Sequence, residues 1–132
     1  MTEEQLYRKF ARYYDLIYEK IDLQIEVDFI KWAAEQHKTS EGNKLLDIAC
    51  GTGRHAQFMK DGFDVLGVDI NPQMLEIARE KLPDINFLEG NMKELNLDEK
   101  FDMVICMFSA MNYNTTREEF KGTLENFYTH LN

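Results

Sequence analysis

Cysteine, histidine and basic residues are scarce in this sequence, and each shortage removes a class of function. The two cysteines, Cys50 and Cys106, sit in or at the end of apolar strand-like runs, where a thiol behaves as a small core hydrophobe; they read as reduced rather than paired. His37, His55 and His130 occur singly, without the spacing of metal ligands, so no metal site is expected and surface or capping roles fall to them. Lys and Arg total 15 against 24 Asp and Glu, a net charge of −9. That balance repels phosphate backbones and anionic headgroups, so neither nucleic acid nor a membrane is an expected partner. No apolar run approaches the roughly 20 residues that span a bilayer, and the amino terminus lacks the apolar centre of a signal peptide. A cytoplasmic protein is expected.

What is present fits one domain, residues 1–132, large enough to bury about two-thirds of its unfolded surface. The organising stretch is Lys44 to His55. Leu45, Leu46, Ile48 and Ala49 form a short apolar run of strand length, which Gly51 and Gly53 stop abruptly before a helix with Ala56, Phe58 and Met59 on its apolar side. Peptide N–H groups of such a strand-turn-helix point at whatever lies in front of them. A second strand is expected over Asp64 to Ile70. Asn71-Pro72 then starts a helix, Asn as cap and Pro at the first position, with Met74, Ile77, Ala78 and Leu82 on one face and Pro83 as its stop. Ile85 to Gly90 reads as a third strand and Phe101 to Phe108 as a fourth, covered on both faces. Thr116-Arg117-Glu118-Glu119 has the form of a capping box, followed by Phe120, Leu124, Phe127 and Leu131 on one helical face. Before the glycines, Leu6, Phe10, Tyr13, Tyr14 and Ile17 recur at helical spacing, and Ile25, Phe29, Trp32 and Ala33 predict a second helix over about Asp22 to His37.

Gly51-Thr52-Gly53-Arg54-His55-Ala56 alone also fits a dinucleotide-binding fingerprint. Asp69, at the end of the second strand, stands where a carboxylate accepts bonds from both ribose hydroxyls, which indicates a nucleoside. Asp47 separates the candidates. A carboxylate inside the first strand opposes a pyrophosphate but attracts the sulfonium and ammonium of S-adenosylmethionine. Arg54 argues mildly the other way.

Leu45 to Gly53 resembles motif I of the class I S-adenosylmethionine-dependent methyltransferases, and Gly67 to Leu75 resembles their second motif. Tyr14-Asp15-Leu16-Ile17-Tyr18 is similar to a Tyr-Asp-x-x-Tyr element of members acting on amines of small molecules, such as amino sugars, glycine or sarcosine. Cys106 to Tyr113 resembles an element beside the transferred methyl in the amino-sugar N-methyltransferases. The resemblance implies an α/β, Rossmann-like parallel sheet of order 3-2-1-4 with helices on both faces, lacking the later strands of the full fold, and residues 1–38 as a helical lid. It also implies a cofactor site built from Tyr14, Asp47, Ala49, Gly51, Gly53, Asp69, Ile70, Met74, Asn91, Met92 and Met107. Asn91 departs from the acid usual there, although its side-chain carbonyl accepts the same bond. Tyr14 is the candidate nearest methyl transfer, and no general base is identified.

The matched stretch corresponds to about the amino-terminal half of a usual member. Little turnover is expected of these residues alone, and strand four is expected to keep an unpaired edge that favours a homodimer unless the last helix covers it. The function implied is methyl transfer to a small molecule, at an amine nitrogen. A non-catalytic cofactor-binding module and an NAD-dependent oxidoreductase stay open beside it.

Overall fold

The computed structural model describes residues 2–132; within the first helix, the side chains at positions 3, 4 and 6–8 are outside the described set. The proposed role of Leu6 therefore lies outside the described residues. Helices α1 (Glu3–Tyr18) and α2 (Gln24–His37) lead into β1 (Lys44–Ile48), α3 (Arg54–Met59), β2 (Asp64–Asp69), α4 (Pro72–Lys81), β3 (Asn86–Glu89) and β4 (Met103–Ile105). A 3-10 turn (Ala110–Tyr113) and α5 (Arg117–Thr129) follow.

The four strands are parallel in the order β3-β2-β1-β4, as the alternation of strands and helices requires. Because β1 has neighbours on both sides, Leu45, Leu46, Asp47 and Ile48 are all buried and only Lys44 is exposed. Strand periodicity sends alternate side chains to opposite faces. Leu45 meets Val27 and Ile30 of α2, Met59 of α3 and Leu75 and Ala78 of α4 in one core. Leu46 and Ile48 join Leu66, Val68 and Phe101 in the other, against Leu95, Leu97 and Phe127. Asn71 caps α4 as anticipated, its Oδ1 accepting from Gln73 N at 3.0 Å and Met74 N at 3.4 Å, with Pro72 at the first position.

Several expectations require correction. Strand four is three residues long rather than eight: Phe108 and Ser109 take positive φ, 61° and 60°, and turn the chain away from the sheet. Its residues Met103 and Val104 are only half-buried because β4 is an edge. Phe101, beside that edge, pairs with Leu131 in a parallel bridge, donating to His130 O at 2.7 Å while its own carbonyl accepts from Asn132 N at 2.9 Å. The inward side of α2 is Val27, Ile30 and Ala34, not the stripe of Ile25, Phe29 and Trp32, which is exposed. Both stripes satisfy helical spacing, and the aliphatic one docks. In α1, Ala11 is buried while Tyr13 and Ile17 are exposed. In α5, Thr123 is buried and Phe120 and Leu124 are exposed. His130 is no surface residue: it is buried, its Nε2 accepting from Leu97 N at 3.0 Å, with Nδ1 2.8 Å from Asn126 O.

Two glycines predict opposite responses to alanine. A Cβ at Gly67, in β2, would stand 2.5 Å from Phe87 Cδ1 and 3.0 Å from Cys50 Sγ, whereas one at Gly122, inside α5, would meet nothing within 4 Å. Gly67→Ala is expected to lose about 1–3 kcal/mol through overpacking, and Gly122→Ala to gain about 1 kcal/mol from helix propensity. Urea unfolding of both variants measures the two signs.

Candidate functional site

At the carboxyl ends of β1 and β4 the backbone takes conformations that L-residues seldom adopt. Ala49, Gly51 and Gly53 have φ of 58°, 56° and 82°, and among the described residues the other non-glycine positions with positive φ are Phe108 and Ser109. Left-handed residues of this kind collect at ligand sites, where surrounding structure holds them. A Cβ on Gly51 would project into open space, so its glycine keeps the backbone bare toward a ligand. At Gly53, by contrast, a Cβ would sit 2.8 Å from Leu82 Cδ1; this glycine serves packing and the left-handed cap of α3.

Asp69 ties the loop down. Its Oδ2 accepts from Gly51 N and its Oδ1 from Asn71 N, both at 2.8 Å. Burial raises its pKa, and these backbone bonds pull the other way.

In front of the loop lies a cavity of about 330 Å³, counting its open mouth, lined by Tyr14, Asp47, Ala49, Cys50, Gly51, Thr52, Arg54, His55, Met107 and Phe108. Asp47 is 2% exposed, and its Oδ2 has no hydrogen-bond partner. Burial, and next the charge of Asp69, push its pKa up to about 8. His55 is buried, with Nε2 3.4 Å from Glu26 Oε2. That approach is close enough for charge attraction yet makes no hydrogen bond. Burial lowers the His55 pKa, and Glu26 opposes the shift. The same burial raises both thiols, Cys50 well upward and Cys106 to about 12, so neither is a thiolate nucleophile at neutral pH.

The cavity is walled on one side by α1. Asp15 Oδ1 accepts from Thr52 Oγ1 at 2.5 Å, and its Oδ2 pairs with Lys81 Nζ at 2.9 Å. This one carboxylate joins α1 to the glycine loop and to α4. Arg54 Nη2 donates to Tyr18 O at 2.7 Å and to Ile21 O at 3.2 Å. The rings of Tyr14 and Tyr18 lie 4.7 Å apart, and Tyr18 meets Phe108 edge-on at 5.3 Å.

Of the residues anticipated from sequence, Tyr14, Asp47, Ala49, Gly51 and Met107 come together around the cavity. Asp69 does not line the cavity but holds the loop through Gly51 N. Ile70 is 59% exposed outside the cavity, and Met74 is buried on α4. Asn91 Oδ1 closes a local turn by accepting from Lys93 N at 2.9 Å. Met92 packs on the second core, its carbonyl taking Asn126 Nδ2 at 3.3 Å. Sequence reasoning missed Thr52, His55 and the tether made by Arg54. The available signal was position: all three stand in or just after the glycine pair, and Asp15 stands beside Tyr14.

A family model described as a methyltransferase domain matches residues 45–132. Among curated proteins, the dTDP-3-amino-3,4,6-trideoxy-alpha-D-glucopyranose N,N-dimethyltransferase of Streptomyces venezuelae is 40% identical over 95 residues, covering 71% of this chain and 40% of that protein. The dTDP-3-amino-3,6-dideoxy-alpha-D-glucopyranose N,N-dimethyltransferase of Streptomyces fradiae is 32% identical over 125 residues, covering 93% and 49%. Among solved structures, Streptomyces venezuelae DesVI superposes with a TM-score of 0.83 at 36% identity, over 92% of this chain and 52% of that one. CalS10, an amino pentose methyltransferase from Micromonospora echinaspora solved with SAM bound, gives 0.81 at 29% identity, over 90% and 51%. The chain spans about half the length of the curated relatives it matches.

The raised pKa of Asp47 fixes a sign for stability against pH. Folded chains keep a proton there up to about pH 8, whereas unfolded chains lose it near the usual carboxylate value. The contribution is therefore fully present below that value and is lost as pH rises to 8. Asp47→Asn, which has no proton to lose, is expected to flatten this decline and to melt above the wild type at pH 8–9. Thermal melts from pH 5 to 9 measure it.

Proposed function

The chain belongs to the methyltransferase-domain family, and from that premise we propose that it binds S-adenosylmethionine and serves methyl transfer to an amine nitrogen of a small molecule. The observation that carries the reading is Asp47: a buried carboxylate oxygen without a partner, at the end of a strand, beside a backbone loop left bare by Gly51. A cationic ammonium or sulfonium fits it, and a pyrophosphate does not. The amine as acceptor is supported by the two curated relatives, which are dTDP-amino-sugar N,N-dimethyltransferases.

When bound, the cofactor supplies a methyl group already activated on a sulfonium. The chain's own part is orientation and exclusion of water. Asp47 orients the amino-acid end, and the Ala49 to Gly53 backbone lines it. Asp69 uses the lone pairs left over from Gly51 and Asn71 for the ribose hydroxyls. Asn91, through the second lone pair of its Oδ1, and Met92 take the adenine, with Ile70, Met74 and Met107 as apolar contacts. Tyr14 faces the transfer region, and α1 with α2 acts as the lid of a single domain.

The remaining parts of the reading concern setting and assembly. Cys50 and Cys106 are both free thiols, which supports a cytoplasmic protein. No helix among the described residues is long and apolar enough to cross a membrane. The edge of β4 that bears Met103 to Ile105 supports self-association; a monomer in sedimentation at high concentration overturns that part.

Calorimetry with S-adenosylhomocysteine and with NADH tests the cofactor. Heat is expected only with the former, and heat with NADH alone overturns the reading. Because the ligand's ammonium needs an ionised Asp47, affinity is expected to rise by about tenfold per pH unit below 8 and then to level. Asp47→Asn is expected to weaken binding and remove that slope. Transfer of labelled methyl from S-adenosylmethionine to an amino-sugar amine tests the activity.

A further inference from the structure

The outer side of α2 carries large apolar side chains that stay in contact with solvent: Ile25 is 80% exposed, Phe29 60% and Trp32 50%. At about 100° per residue these three fall on one stripe, opposite the docked Val27, Ile30 and Ala34. The rings of Phe29 and Trp32 lie 5.8 Å apart, so the stripe is a joined ridge. Apolar side chains exposed singly are ordinary, whereas a joined ridge marks a place where something docks.

The residues flanking the ridge identify what fits it. On one flank Glu26 approaches His55 of α3 at 3.4 Å, so that flank is engaged within the chain. On the other stand Gln24, Asp28, Lys31 and Glu35, all exposed. Lys31 makes no ion pair among the described residues. In a two-fold antiparallel pair of helices each flank meets its own copy in reverse order, and charges there set the partner and the orientation. With the axis passing between Phe29 and Ile30, Asp28 stands beside the partner's Lys31 and Lys31 beside the partner's Asp28. Gln24 stands beside the partner's Glu35. The same register brings the partner's Trp32 between Ile25 and Phe29, a knob into a gap. A parallel pair would instead turn Asp28 toward the partner's Glu26, carboxylate against carboxylate. An anionic lipid surface fits poorly, because Glu26, Asp28 and Glu35 border the ridge where a membrane-lying helix carries basic residues.

We propose that the outer face of α2 is a docking surface for a second copy of this chain, held antiparallel about a two-fold axis by reciprocal Asp28–Lys31 pairs. The surface is separate from the β4 edge and does not depend on the methyl-transfer reading. Because Glu26 of the same helix backs His55 at the cavity, the pairing also steadies one wall of the site.

Sedimentation of the 132-residue protein over a concentration series, singly and in mixtures, tests it. The wild type is expected to dimerise, and Trp32→Ser to weaken the dimer by about tenfold or more. Asp28→Lys and Lys31→Asp each set like charges opposite one another twice per dimer, and each is expected to weaken self-association by about tenfold. Mixed together, these two variants meet with both pairs complementary, and their heterodimer is expected to recover the wild-type affinity. All three positions are exposed, and circular dichroism checks that the variants stay folded. A wild type that remains monomeric, alone or while sedimenting with phosphatidylglycerol vesicles, overturns the inference. A dimer that the charge variants leave unchanged belongs to the β4 edge and overturns it too, as does a mixture no tighter than its components.

Discussion

The hydrogen bond from Gly51 N to Asp69 Oδ2, 2.8 Å long, fixes the loop on which the whole site depends. It fastens the end of β1 to the end of β2 across the sheet, and it does so with a carboxylate that also holds Asn71 N at the start of α4. Strand end, glycine loop and two helix starts are thereby set relative to one another. The same carboxylate stands near enough to Asp47 to raise its pKa further. Shape and charge of the cavity therefore come from one pair of acids on neighbouring strands.

Around that fixed loop the less regular parts arrange themselves by ordinary packing and charge. Asp15 reaches from α1 to Thr52 and Lys81, and Arg54 reaches back to the carbonyls that end α1. These contacts run in opposite directions between the same two pieces of chain. On the far side the short β4 ends in two left-handed residues, which turn Phe108 toward Tyr18. Among the described residues, the buried side-chain polar atoms left unpaired gather at this place, as expected where binding supplies the missing partners.

Much of the fold was legible in the sequence because the signals were redundant. The two glycines, the Asn71-Pro72 cap and the central strands each had a local cause, and local and global preferences agreed. Helix faces were not legible in the same way. Along α2, Ile25-Phe29-Trp32 and Val27-Ile30-Ala34 have equally good helical spacing, and only docking against the sheet selects the second. In α5 the expected stripe is only half used: Phe127 packs on the second core while Phe120 and Leu124 stay exposed, and Thr123 is buried, donating to Asn114 Oδ1 at 2.7 Å. His130 looked like a surface residue because its partners, Leu97 N and Asn126 O, are backbone groups that no side-chain pattern reveals.

By itself, the order of residues determined a parallel α/β chain with a bare glycine loop between acids at the ends of two strands, because turn chemistry and apolar runs act over a few neighbouring positions. Tertiary structure alone decided what those acids face. Asp47 acquires its raised pKa from burial and from Asp69, and Arg54 is tethered through Nη2 to the carbonyls of Tyr18 and Ile21. Desolvation and charge pairing are properties of what surrounds a group in space, and residues far apart in the chain supply those surroundings.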